Sequence, residues 1–178
     1  MALSKIQAES MNLADTYAFT GSVSGVDGKF ESQLFHVVDQ KSGDGGSFTQ
    51  GDWRTRDLNT IRTNEITGAS LSSNQITLPV GSYYIETHST GFICGRHQTK
   101  WFNVTESADI LKGSAENTTN GSGVAQTKSF ISGRFNVNTS SKTFEIRHYC
   151  NDSRNTDGFG LSVTGENIYT DCKIWKVA

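Results

Sequence analysis

The strongest constraint in this chain is a rhythm. Short runs rich in β-branched and aromatic residues return roughly every eight to twelve residues, each closed by a turn signal, and none carries a helical period. The runs are Phe30–Asp39, Trp53–Ile61, Gln75–Leu78, Ser82–Ser89, Gly91–Val104, Ile110–Ala115, Lys128–Val137, Lys142–Cys150, Gly158–Thr164 and Ile168–Val177. Between them lie Ser42-Gly-Asp-Gly-Gly, Leu78-Pro-Val-Gly and the polar stretches at 117–123, 138–141 and 151–158. Pro79, the only proline, stands at a turn position that favours its fixed φ. Such spacing predicts an all-β sandwich or barrel and leaves no place for a confident helix.

Alternation within the runs assigns faces. In Lys142–Cys150, Phe144 and Ile146 share a face with His148 and Cys150, and the apolar pair makes that face the inner one. Ile131, Phe135 and Val137 do the same in an earlier run, and Phe159, Leu161 and Val163 are expected to do so in a later one. The last run is apolar on both faces near its end, at Ile174, Trp175 and Val177. A strand of that kind is either central or packed against another chain.

Composition agrees with this reading. The chain has 178 residues, long enough for one domain with its own core. Only 34% of it is hydrophobic, yet it holds 10 Phe, 5 Tyr and 3 Trp, a supply of aromatics that disordered chains lack. The opening residues differ from the rest. Ile6, Leu13 and Tyr17 are widely spaced, and a loop follows at Ser24–Gly28. Residues 1–28 are therefore expected to be an amino-terminal connector, with the folded head at 29–178.

Net charge is −2 without a basic run, which argues against nucleic acid or an anionic membrane as partner. No apolar run approaches the roughly 18 residues of a membrane helix. The start, Met1-Ala2-Leu3-Ser4-Lys5, has no signal-peptide core. Cys94, Cys150 and Cys172 form an odd set, expected to be reduced thiols in a protein folded in a reducing cytoplasm, with one disulfide as the alternative. The glycosylation triplets at Asn103, Asn117, Asn120, Asn138 and Asn151 read as chance matches in so Asn/Ser/Thr-rich a chain.

Catalytic signatures are missing: there is no GxSxG, HExxH or phosphate-binding glycine loop. The acidic residues neighbour turns and do not pair as glycosidase carboxylates would. His88, His97, His148, Cys94 and Cys150 could hold a metal if the fold gathers them, although Cys94 and His97 would face opposite ways on a regular strand. The run Trp53-Arg-Thr-Arg-Asp-Leu-Asn-Thr admits two readings, an edge or subunit-interface strand with paired charges, or a stacking patch for a sugar.

From residue 33 onward the order "QLFHVVDQKSGDGGSFTQGDW", "ITLPVGSYYIETHSTGFICGRHQTKWFNVT", "SFISGRFNV", "KTFEIRHYC" and "DGFGLSVTGENIYTDCKIWKV" resembles the carboxy-terminal domains of phage and viral tail-fibre and spike proteins. Its rhythm is also similar to the tumour-necrosis-factor and complement globular heads, in which a Pro-Gly-x-Tyr strand starts mid-domain and a Gly-Phe-rich strand precedes the last. Here those are Pro79-Val-Gly-Ser-Tyr-Tyr, with one residue inserted, and Gly158-Phe-Gly-Leu. The resemblance implies a jelly-roll β-sandwich of about ten antiparallel strands that assembles as a homotrimer. It implies a receptor-binding, host-adhesion head without enzymatic activity, cofactor or metal, carried on the virion and joined to other virion proteins through its amino-terminal segment. The ligand would be a cell-surface glycan or protein. A capsid decoration or trimerisation cap of the same fold is the alternative, with a polysaccharide-degrading enzyme further behind. Recognition is expected on the exposed loops, at Asn117, Asn120, Asn151, Asp152, Arg154, Asn155 and Asp157.

Overall fold

In the computed structural model, residues 33–120 and 123–177 are described, and they contain strands, turns and bends but no helix. The expected connector at 1–28, and the boundary after it, lie outside the described residues. Thirteen strands follow in order: β1 (Gln33–Lys41), β2 (Arg54–Thr55), β3 (Thr60–Asn64), β4 (Ser70–Ser72), β5 (Gln75–Leu78), β6 (Gly81–Phe92), β7 (Arg96–Asn103), β8 (Ala108–Asn117), β9 (Thr119–Asn120), β10 (Gly123–Val124), β11 (Gln126–Val137), β12 (Lys142–Cys150) and β13 (Asn167–Lys176). A five-stranded sheet in the order β11-β6-β13-β1-β3 faces a second sheet in the order β4-β5-β12-β7-β8, to which β2 adds by pairing with β12. Every pairing is antiparallel, and the chain passes repeatedly between the sheets, as a jelly roll does.

The core forms where the two inner faces meet. Phe144, Ile146, His148 and Cys150 of β12 are fully buried on one face, and Ile131, Phe135 and Val137 of β11 point at them from the other sheet. Trp101 stacks on Phe144 at 5.0 Å between centroids, and Phe135 meets Phe144 edge-on at 5.4 Å. Aromatic contacts of this type add about 0.5–1.5 kcal/mol to the burial term. One open side of the sandwich is closed where β8 meets β11. Ser129 Oγ donates to the carbonyl of Ser114 at 2.7 Å, and the Phe130 amide donates to Ser114 Oγ at 3.0 Å. The approach is tight enough that a Cβ at Gly113 would stand 2.6 Å from Thr99 Oγ1 and 2.7 Å from the Phe130 carbonyl.

The structure corrects three expectations. Residues 158–164 do not form a strand. Phe159 is buried, but Leu161 is 41% exposed and Val163 is 85% exposed. The backbone there bonds to the 44–46 loop instead of a ladder: Gly45 N donates to Gly160 O at 2.8 Å, and Phe159 N to Gly46 O at 3.1 Å. The run expected at Trp53–Ile61 is broken into β2 and β3, because Arg56 and Leu58 turn inward between them. Cys94 and His97 are both buried, because residues 93–95 turn with Ile93 at φ 42° and Gly95 at φ 70°, and strand alternation does not span them.

Phe144→Ala should lower unfolding free energy by about 3–5 kcal/mol, since its ring is shared by two aromatic neighbours and no chain can collapse into the gap. Urea denaturation of the two proteins checks this.

Candidate functional site

The end of the sandwich where β6 turns into β7 differs chemically from the rest of the core. Here Phe48, Cys94, Cys150 and Phe159 form a separate buried cluster. His148 lies among them, 4.7 Å from the Phe48 centroid and stacked on Phe159 at 6.1 Å. His97 Nδ1 meets His148 Nε2 at 2.8 Å, and His97 Nε2 meets Thr127 Oγ1 at 2.8 Å. His148 Nδ1 finds no protein partner. An orphan acceptor costs less than an orphan N–H, so the network assigns the proton of His148 to Nε2, donating to His97 Nδ1, and that of His97 to Nε2, donating to Thr127. Both rings are then neutral. Burial pushes His97 down to about 4, and burial together with the nearby Arg56 guanidinium pushes His148 well below the usual histidine range.

The three cysteines are free and buried. Burial raises all three thiols, Cys150 and Cys172 to about 12, so they are inert packing groups and not nucleophiles. Among the described residues, no group of three or more His, Cys, Asp or Glu is placed to hold a metal ion.

Arg56 braces this end. It is fully buried, and its fork donates from Nε to Thr170 Oγ1 at 3.0 Å, from Nη1 to Thr90 O at 3.1 Å, and from Nη2 to the carbonyls of Tyr169 at 3.2 Å and Phe159 at 3.3 Å. The guanidinium carbon lies 4.0 Å over the Phe159 ring, and Asp39 Oδ2 stands 3.9 Å from Nη2. Burial lowers the Arg56 pKa to about 10, well above any working pH, so it stays charged. Burial raises the Asp39 carboxyl against the opposing pull of Arg56 and Lys41.

Above this polar core lies a rim, and the loops expected to carry recognition meet there. Gly95 and Arg96 are the meeting point. Thr118 N donates to Gly95 O at 3.0 Å, Arg96 pairs with Asn117 across β7 and β8, and Asn151 N donates to Arg96 O at 3.0 Å. With its amide oxygen turned toward Arg96, Asn151 accepts from Nε and Nη2, each at 3.3 Å. Gly95 has φ 70°, a conformation that side chains rarely adopt, and a Cβ there would also stand 3.3 Å from the Cβ of Asn151 in the 151–157 loop. Asn117, Asn151, Asp152 and Asn155 are exposed. Arg154 and Asp157 instead hold each other, Nε to Oδ1 at 3.0 Å and Nη2 to Oδ2 at 2.8 Å, and so shape the loop. Asn120 takes part through its backbone, paired with Gly123.

Beside this rim, on the outer face of the second sheet, stands Trp53, from the run that the sequence offered either as a charged edge strand or as a stacking patch; its pairing with Tyr149 was not foreseen. Trp53 and Tyr149 are half-buried, with ring centroids 5.8 Å apart, and Gln98 pairs across the ladder with Tyr149. Two sequence signals pointed to this face, the Trp53 run and the alternation of Glu145, Arg147 and Tyr149 along β12.

No known protein-family profile matches the chain, and no curated protein matches it in sequence. Solved structures do resemble it. The globular domain of zebrafish complement 1qA is 10% identical, covers 82% of this chain and 98% of its own, and superposes with a TM-score of 0.53. Murine APRIL is 10% identical over 82% of this chain and 99% of its own, with a TM-score of 0.48. The protein is an all-β jelly roll whose fold resembles that of the complement 1qA globular domain. At such identity the likeness concerns the fold.

Two outcomes follow from this chemistry. Arg56→Met should destabilise the fold by about 3–5 kcal/mol, since it strands three carbonyls and the Asp39 carboxylate in the interior; equilibrium unfolding in guanidinium measures it. The histidine pair should make stability fall with acid. The folded pKa values lie below the unfolded value of 6.5, so the unfolded chain binds more protons as pH drops, and stability is lost between about pH 6.5 and 4. Asp39 acts in the opposite sense, since its raised carboxyl favours the folded state at low pH. His97→Gln isolates the imidazole contribution and should flatten the fall in urea midpoint over that window.

Proposed function

We propose that this domain is the trimeric receptor-binding head of a phage or viral tail fibre or spike, a recognition module without catalytic activity. The observation that supports it best is the outer face of the five-stranded sheet. Phe130 is 57% exposed at the centre of β11, with its ring 5.5 Å from that of His88 on β6. Tyr84 and Trp175 form a half-buried pair at 6.1 Å on the neighbouring strands. Beside Phe130 a depression of about 280 Å³ is lined by Glu86, His88, Ser132, Asp171 and Lys173. Aromatic rings left uncovered on a sheet face are characteristic of contact with another chain. The same contact accounts for the two-faced final strand, where Ile174 packs inward and Trp175 outward.

The viral context comes from the order of sequence motifs. Virion proteins fold in host cytoplasm, which fits three free thiols. Three heads on one axis would present three copies of the rim around Gly95 and Arg96 in a single direction, so that weak individual contacts combine by multivalency.

Light scattering on a sizing column should give a mass of three times 19.4 kDa at two concentrations. Phe130→Asp should reduce it to one chain with the β-sheet circular dichroism retained. A wild-type monomer would sink the trimer. Intact trimers that fail to adsorb to any host cell, while virions lacking the domain still adsorb, would point to a decoration or cap instead.

A further inference from the structure

We infer that the outer face of the second sheet, at the Trp53–Tyr149 pair, binds a neutral pyranose of a cell-surface glycan; this rests on the recognition-head reading and names its ligand class and site. Two rows of side chains lie next to each other there. The first is aromatic: Trp53 and Tyr149, both half-buried, with centroids 5.8 Å apart. The second holds hydrogen-bonding groups: Gln98, in ladder register with Tyr149, and the Arg96–Asn151 pair one step further along.

The charges beneath this surface are already neutralised. Lys100 Nζ sits 4.4 Å over Trp53 and 5.1 Å over Phe102, and it is bonded to Asp109 at 2.6 Å. Arg147 lies 3.5 Å over Phe102 and is bonded to Glu145 at 2.5 Å. Lys100 and Arg147 therefore each have an anion and an aromatic face, which ties both to the platform, while Arg96 at its edge keeps its charge beside the Asn151 amide. An anionic ligand would find Lys100 and Arg147 already paired, with Arg96 alone to meet its charge.

A neutral sugar ring fits both rows. Its C–H face offers apolar area to the indole and phenol, while its ring hydroxyls, each a donor and an acceptor, match the Gln98 Oε1, whose Nε2 already donates to the Gly113 carbonyl, the Asn151 Nδ2, and the Arg96 Nη1 left over from its pairing with Asn151. The position also suits a trimer built on the opposite sheet, because the sandwich places the two outer faces on opposite sides of the domain. The platform would stay open in the assembly.

The full chain is tested on printed neutral and acidic oligosaccharides, and by titration with the methyl glycosides of glucose, galactose, mannose and N-acetylglucosamine, read by tryptophan fluorescence. Expected is binding to a neutral subset, weakened at least about tenfold by Trp53→Ala and by Tyr149→Ala and largely kept by Tyr149→Phe. Gln98→Ala removes the hydrogen bond from Gln98 Nε2 to the Gly113 carbonyl but no core side chain, and should weaken binding with the solution mass unchanged and the β-sheet circular dichroism retained, so a folding defect in either aromatic variant does not decide the outcome. Wild-type protein that binds no neutral glycan, prefers acidic ones, or binds equally well without Trp53 and Tyr149 overturns the inference. Cell adsorption separates the two proposals: adsorption that persists without any glycan binding leaves the recognition head standing and removes this site.

Discussion

The guanidinium of Arg56 is the point on which one end of this sandwich depends. A jelly roll needs no interior charge to hold its sheets together, and here one sits at zero exposure, reaching Thr90 on β6, Tyr169 and Thr170 on β13, and Phe159 in the loop before it. The planar fork matters more than the charge. Four acceptors lie around the head group in directions that a lysine ammonium on a flexible stem could not match together. The segment 158–162, which lacks ladder partners, is held by this fork, by the 44–46 loop and by the ring of Phe159 itself. An irregular loop is thereby made as well anchored as a strand.

That anchoring divides the interior into two chemical regimes. Around Trp101, Phe135 and Phe144 the core is dry and aromatic, and specificity comes from packing. Around His97, His148 and Arg56 it is polar: the two histidines bond to each other and to Thr127, and Arg56 bonds to its own four acceptors and acts on the histidines through its charge. Such a network favours a single geometry at the cost of sensitivity to acid. The rim above inherits the rigidity. Gly95, Arg96 and Asn151 are tied by backbone bonds to elements that cannot shift without breaking the network beneath, so a ligand would meet preorganised groups and little ordering cost.

The two outer faces differ in the same logical way. On the five-stranded sheet, Phe130, Tyr84 and Trp175 leave apolar surface uncovered, as a face between copies of the chain would. On the other sheet Phe102 is covered by Lys100 and Arg147, Lys100 also stands over Trp53, and Trp53 and Tyr149 remain half-buried at the edge.

Much of this was legible beforehand. Alternation in Lys142–Cys150 and Gln75–Leu78 located β12 and β5 to the residue, and the inward faces of β11 and β12 followed from the period of two, because a half-buried strand must sort its side chains by face. The pairing of loops 117–123 and 151–157 could be guessed only as two exposed loops; their meeting at Gly95 depends on a turn whose positive φ values no local pattern announces. Arg56 was invisible for a similar reason, since an arginine among polar neighbours reads as surface until four carbonyl and hydroxyl acceptors from distant segments surround it. Gly158–Thr164 misled because its apolar alternation was real while its backbone bonds go to the 44–46 loop and not to a strand ladder. The sequence alone determined where strands could form and which faces are oily, since both depend on local sterics and side-chain solubility. Which polar groups are buried, and which aromatics stay open to a partner, was decided only in the tertiary structure, because satisfying or exposing a group depends on residues far away in the chain.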